Sequence, residues 1–254
     1  MKNILFKSIA IVAAGLMLGS CEKNAIEDFN DPVNSGAYIK FLHAAPDAPA
    51  VNYYLDNTKV STIAANSAGE EQGMAYAKSP LFPSNYGYAN VEAGTRTLQA
   101  ITPAPQGNAV TATNSVTLAN GNFYSAFLIG SAGAYESLLV EDKLPAATYG
   151  KSYIRFVNLV QAAPNSYSAT AVKTATSESP ETRTAVGEAL NFKGNTAYVA
   201  VEPTGSYVVE LKENGLAGTV IKSSSFSPVG GRVYTLVMHG NYSGTKTIVI
   251  YRDR

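Results

Sequence analysis

The sequence predicts an all-β protein, two tandem β-sandwich domains that follow a signal peptide and a flexible tether. Three observations carry that prediction. Charged residues make up only 15% of the 254-residue chain, against 16 Tyr, 21 Gly and 12 Pro, so strand and turn formers outweigh charge. Outside the first 20 residues no stretch keeps a helical period, whereas short runs alternate in steps of two. The chain also repeats itself.

The chain opens as MKNILFKSIAIVAAGLMLGSCEKN, with Lys2 and Lys7 around the start of an apolar run from Ile9 to Leu18. That run falls short of the ~20 residues that cross a bilayer and suits the core of a secretory signal. Leu18-Gly19-Ser20-Cys21 resembles the lipobox of bacterial lipoproteins, in which the cysteine is acylated. Residues 1–20 are therefore expected to be a lipoprotein signal peptide. Cys21 is the one cysteine of the chain, so no intramolecular disulfide can form in an oxidising compartment. Its expected role is lipid attachment. Residues 21–36 are polar and acidic and end in Asn34-Ser35-Gly36, the composition of a flexible tether. Glu22, Glu27, Asp28 and Asp31 resemble the surface-export signal of Bacteroidetes lipoproteins. The expectation is an outer-membrane, lipid-anchored protein at the cell surface, with a periplasm-facing anchor as the alternative.

The repeat sets the next two elements. YIKFLHAAP at residue 38 returns as YIRFVNLVQAAP at residue 153, and NVEAGTRTLQAI faces AVEPTGSYVVEL. NGNFYSAFLIG faces GGRVYTLVMHG, and from Tyr88 onward the copies run at a constant offset. Residues 37–144 are read as the first sandwich and 151–254 as the second, joined by the short link LPAATYGK. In the first copy Ile39 and Phe41 point one way while Tyr38, Lys40 and Leu42 point the other. Val51 to Leu55 is the next strand, closed by an Asp56-Asn57 turn before a strand from Thr58 to Ile63. Asn120-Gly121 reads as a type I′ hairpin turn, with Gly230-Gly231 meeting the same demand in the second copy.

Motifs for chemistry are sparse. Basic and acidic residues balance at 19 each, so no basic face points to nucleic acid. His43 aligns with Asn158, an exchange that neither a general base nor a metal ligand survives. The expectation is that His43 ends the first strand, Ala44-Ala45-Pro46 turns the chain and Asp47 accepts backbone N–H groups. His239 aligns with Ile129, inside a strand of mostly apolar residues, and is expected to be partly buried and hydrogen-bonded. Ser243-Gly244-Thr245-Lys246 has S-x-x-K spacing but falls on a predicted hairpin turn, not on the helix that such chemistry needs. No metal, cofactor or catalytic set is expected. The first copy carries one extra segment, GMAYAKSPLFPSNYG, residues 73–87. Its rings Tyr76, Phe82 and Tyr86, stiffened by Pro80 and Pro83, are candidates for stacking on a ligand. The competing reading is that they cap the sandwich or fill an interface with the second copy.

The first-copy pattern YIKFLHAAPDAPAVNYYLDNTKV, with VEAGTRTLQAITPA and LANGNFYSAFLIG, resembles a bacterial domain-of-unknown-function family, number 4397. The resemblance spans residues 37–142; the second copy departs at Asn158 and by three extra residues before its Ala-Ala-Pro. It implies immunoglobulin-like β-sandwiches in exported proteins, often in tandem and often lipoproteins, and no catalytic residue. The functional expectation is a lipid-anchored envelope protein with a non-catalytic binding or scaffolding role, toward a glycan or an envelope protein. A fimbrial or adhesin subunit is the alternative. The final strand KTIVIYRD speaks against it, because it aligns with ESLLVED and completes its own sandwich. A hydrolase is disfavoured by the missing nucleophile and base.

Overall fold

The computed structural model describes residues 35–76, 80–84, 86–131 and 133–254. The signal peptide, most of the tether and Cys21 lie outside them. The fold is all-β, with one short 3-10 turn, Ala104–Gln106, as the helical element among the described residues. No described helix is long and apolar enough to cross a membrane.

The first half is two sheets sharing a core. One holds β1 (Ala37–His43), β4 (Leu81–Phe82), β5 (Ala89–Val91), β8 (Phe123–Ser131) and β9 (Ala134–Glu141). The other is β2 (Asn52–Leu55), β3 (Thr58–Lys59), β6 (Gly94–Ile101) and β7 (Val110–Leu118). In the first sheet β1 runs parallel to β8, and β4 and β5 both pair with the opposite edge of β1. Ile39, Phe41, Tyr124, Ala126 and Leu128 meet Tyr53, Leu98, Ala100 and Leu118 between the sheets. Full burial of each large apolar side chain contributes about 1.5–3 kcal/mol.

The second half repeats the plan. One sheet is β10 (Ser152–Gln161), β13 (Val199–Val201), β16 (Val233–Asn241) and β17 (Lys246–Arg252); the other is β11 (Tyr167–Lys173), β12 (Thr182–Leu190), β14 (Tyr207–Glu213) and β15 (Val220–Phe226). Again the first strand, β10, runs parallel to the penultimate one, β16, and a second core forms around Phe156, Tyr167, Val209 and Leu236. β4 has no strand counterpart here; a single bridge, Val157 to Asn195, takes its place.

The two halves meet through the sheets that hold β1 and β10. Leu42, Phe127, Ile129 and Val140 pack against Val157, Leu159, Val237 and Tyr251 in a third apolar cluster. Residues 35–254 thus hold together as one compact unit. These two sheets are covered on both faces, which is why β1, β10 and β16 are buried almost throughout. The alternation in YIKF had placed Lys40 away from the core. That is where it is, but this side faces the partner half and not water.

Turn chemistry differs from expectation at one pair of sites. Asp56 and Asn57 both have positive φ, 46° and 70°, and close a tight β2–β3 hairpin as a type I′ turn would. β3, however, ends at Lys59 and does not run on to Ile63. At Asn120-Gly121 only Gly121 has positive φ (77°), and the Asn122 N–H donates to the Ala119 carbonyl, the pattern of a type II turn. It joins β7 of one sheet to β8 of the other, so it is a corner between layers and not a hairpin. Gly231 (φ 78°) does the same between β15 and β16. A dipeptide that tolerates positive φ marks a turn; which strands that turn joins is decided by the core.

Gly130, near the end of β8, has φ 104°, and a Cβ there would sit 2.2 Å from the Ala134 carbonyl oxygen. Gly240 is its repeat, with φ 127° and 2.4 Å to the Thr245 carbonyl oxygen. Gly130→Ala should lower stability by about 1–3 kcal/mol in urea unfolding, the cost of a residue forced off its allowed backbone region.

Candidate functional site

Two features stand out at the junction of the halves, a buried polar network and an open aromatic cleft beside it. The network begins with Lys40 on β1 and Arg155 on β10, the same position in the two copies. Each reaches across to a carboxylate of the other half. Lys40 Nζ lies 3.2 Å from Asp253 Oδ1 and donates to the Arg252 carbonyl at 2.8 Å. Arg155 Nη2 pairs with Asp142 Oδ1. Asp142 and Asp253 follow the last strands, β9 and β17, and their backbone N–H groups donate to Phe123 and Val233, which are again equivalent. Arg155 and Lys40 are each 1% exposed, so both pairs are fully removed from water.

Hydrogen bonds complete the cluster. Ser125 Oγ donates to Asp142 at 2.7 Å and Thr235 Oγ1 to Asp253 at 2.6 Å. Arg155 Nε donates to Thr235 Oγ1 at 2.9 Å. The Tyr88 hydroxyl lies 2.9 Å from Asp142 Oδ2 and 3.3 Å from Asp253 Oδ1, and the Tyr198 hydroxyl 3.1 Å from Asp253 Oδ2. Lys40 also sits 4.6 Å above the Tyr88 ring and Arg155 4.9 Å above that of Tyr198. Burial pushes the Lys40 ammonium below its ordinary range, with Asp253 opposing. For Asp142, burial pushes the carboxyl up while the Arg155 guanidinium pulls it down. Two cations facing two carboxylates leave the cluster formally neutral. Buried pairs are favourable only when their remaining donors and acceptors are met, and here both carboxylates accept further hydroxyl groups. The arrangement fixes how the halves meet; nothing in it is aimed at a substrate.

Sequence reasoning passed over this network, although its signal was present. Lys40 and Arg155, and Tyr88 and Tyr198, occupy matching places in the repeat, while Asp142 and Asp253 come into register only in the structure, where the β16–β17 turn is one residue longer than the β8–β9 turn. A charge repeated within an otherwise apolar strand is the mark of a buried partner.

The cleft, about 380 Å³, opens beside the network. Its floor is Tyr38 stacked on Phe123 (ring centroids 4.7 Å apart, 14° between planes), with Tyr88 set edge-on to Phe123 at 5.0 Å. Tyr86, Leu144, Arg252 and Arg254 form its walls. Tyr86 is 59% exposed, and the Arg252 guanidinium lies 4.2 Å over its ring.

The three candidate rings of residues 73–87 go to three places. Tyr86 lines this cleft. Phe82 is in β4, opposite Phe41, half-buried against the first core and beside a separate groove with Pro80, Leu81 and Pro83. Tyr76 is half-buried between the two histidines, its ring edge-on to His239 at 4.9 Å and to His43 at 6.4 Å. The three rings do not share one surface, and Tyr76 lies at the junction of the halves.

His43 closes β1, and its Nε2 lies 2.9 Å from the Pro49 carbonyl, so it ties down the following turn. His239 departs from expectation. It is 1% exposed, and neither ring nitrogen has a partner among the described residues. The cause is the closure of the two halves over β16, which the alternation along one strand cannot reveal. Burial, with a smaller contribution from His43, pushes the His239 imidazole down to about 4. Ser243 donates to Asn241 while Lys246 donates to the Tyr242 carbonyl, so the S-x-x-K spacing sits on the β16–β17 turn as an ordinary hairpin. Among the described residues no group of three or more His, Cys, Asp or Glu side chains is placed to hold a metal.

The model of a domain of unknown function (DUF4397) matches residues 37–169, more than half of the chain. The match includes the whole first half and runs through β10 into β11. A search of curated proteins returns no match. Solved structures that align with this chain include the TIE protein of Bacillus anthracis, at 10% identity and TM-score 0.25, with 82% of this chain and 34% of that one covered. This chain therefore spans about a third of that protein. A suspected cell adhesion protein of Bacteroides fragilis aligns at 11% identity and TM-score 0.26, over 86% of this chain and 98% of that one. The fimbrial anchor protein Mfa2 of Porphyromonas gingivalis aligns at 9% identity and TM-score 0.28, over 85% and 97%. With TM-scores this low, none of these likenesses bears on function.

Proposed function

This chain belongs to the DUF4397 family of domains of unknown function, and from that membership we propose a lipid-anchored cell-envelope protein with a non-catalytic binding role. In this reading Cys21 carries the lipid, residues 21–36 are the tether, and residues 37–144 and 151–254 are duplicated sandwich domains displayed at the outer-membrane surface. The observation that carries the binding role is the cleft of Tyr38, Tyr86, Tyr88 and Phe123. It is lined by rings already held by stacking and backed by a buried ionic cluster, so little side-chain entropy is lost when a ligand docks. The four buried ions of the junction are spent on one another and on neighbouring hydroxyls, which suits a scaffold better than a catalyst. The last strand, β17, is paired with β16 from Arg252 to Lys246. It serves its own half and is no spare strand for a neighbouring subunit.

The anchor has a direct test. In cells fed an alkyne-tagged fatty acid, the wild-type chain should take up the label and fractionate with the outer membrane. Cys21→Ser should abolish the label and release the protein. An unchanged label in Cys21→Ser would place the lipid elsewhere, and no label on the wild-type chain would remove the anchor. For the binding role, purified chain is exposed to peptidoglycan, lipopolysaccharide and capsular polysaccharide. Retention on at least one, lost in Tyr86→Ala, is the expected result; retention on none removes the binding role.

A further inference from the structure

We propose that the junction cleft binds an acidic saccharide, a glycan chain bearing carboxylate or sulfate groups. The inference rests on the binding reading above and names the ligand class for that site. Its first basis is shape and surface. The stacked Tyr38–Phe123 pair and the exposed Tyr86 ring offer flat faces on which the C–H faces of pyranose rings dock, as aromatic rings with polar tips commonly do at wet interfaces. The cleft, at about 380 Å³, is the size of a small-ligand site.

The second basis is charge. Two arginines and one carboxylate line the cleft. The carboxylate, Asp253, is turned inward and held by Lys40, Thr235 and Tyr198. The outward side-chain charge of the lining is therefore that of Arg252 and Arg254. Neither has an ion-pair partner among the described residues, in contrast to Arg96, Arg155 and Arg183. Arg252 is stacked on Tyr86, which holds its guanidinium at the cleft. Arg254 gives one N–H to the Pro145 carbonyl, which orients its guanidinium while other donors stay available. An arginine fork beside an open aromatic face fits a sugar that also carries an anionic group, because guanidinium pairs with carboxylate or sulfate by two parallel N–H donors. A neutral sugar would offer those donors only hydroxyl oxygens, without the charge-assisted, two-pronged pairing.

The test measures binding of the purified chain to a hexasaccharide of galacturonic acid, to its fully methyl-esterified form, to a sulfated hexasaccharide and to a hexaglutamate peptide. The expected result is binding of one or both acidic saccharides, about tenfold tighter than the neutral ester, a charge-assisted hydrogen bond's worth. The preference should weaken with added salt. Arg252→Gln should erase the preference while keeping residual binding, and Tyr86→Ala should weaken acidic and neutral chains alike. Near-wild-type unfolding midpoints for both variants will show that the fold is intact. Equal affinity for acid and ester would overturn the acidic ligand class yet leave the binding role standing. Hexaglutamate bound as tightly as the saccharides would overturn the saccharide. No binding of any of the four overturns the proposal, while the envelope-component assay above judges the broader role separately.

Discussion

Arg155→Met should destabilise residues 35–254 by about 3–5 kcal/mol, the cost of leaving a buried carboxylate without its partner. Asp142 would keep only the Ser125 and Tyr88 hydroxyls, and Thr235 would lose the Nε donor of Arg155. The loss is expected as a lower urea midpoint. The double variant Arg155→Met/Asp142→Leu should recover much of it, because removing both charges also removes the desolvation that the pair had to offset. Lys40→Met should behave in the same way through Asp253, with a smaller effect, because Asp253 retains Thr235, Tyr88 and Tyr198. A cost below about 1 kcal/mol for Arg155→Met would be that of an exposed pair, and would mean that the halves do not meet as described.

Acid should loosen the protein through His239. In the folded chain its imidazole is held down at about 4, against an ordinary 6.5, chiefly by burial. The unfolded chain therefore binds the proton first. Stability is full above pH 6.5, falls as pH drops from 6.5 toward 4, and levels off once the folded form is also protonated. The interval corresponds to about 3 kcal/mol. His43, also pushed down by burial, adds to the loss in the same direction. Carboxylates held low by partners, such as Asp56 and Glu71, lose their contribution at lower pH and are shared by any variant. His239→Ile copies what the first half has at Ile129. It should flatten the urea-unfolding free energy between pH 6.5 and 4 relative to wild type. An unchanged slope would show that His239 reaches water or a partner in solution.

Together these predictions separate what holds the halves from what the cleft binds. The ionic cluster and the histidine site are buried, so their variants are read in stability; Arg252 and Tyr86 line the cleft, so theirs are read in affinity.

The all-β class, the repeat and the strands read from Tyr38 and Tyr153 were legible in the sequence alone. Composition and two-residue alternation are local properties, and a duplicated chain prints its turns twice. Asp56-Asn57 was likewise legible, because the positive φ of a tight hairpin restricts residue choice on the spot. The resemblance to DUF4397 lay in the same residues. What only the tertiary structure decided is everything that depends on the halves meeting. Alternation places Lys40, His239 and Val157 on the face opposite the core, but it cannot say whether that face meets water or a second sheet. That choice is made by residues more than a hundred positions away, such as Asp253 and Tyr251. The same distance explains why Tyr76 and Tyr86, on either side of β4, part company: one is drawn in against His239 and the other is left at the cleft under Arg252. Periodicity records a side chain's direction; burial is settled by what the rest of the chain brings to meet it.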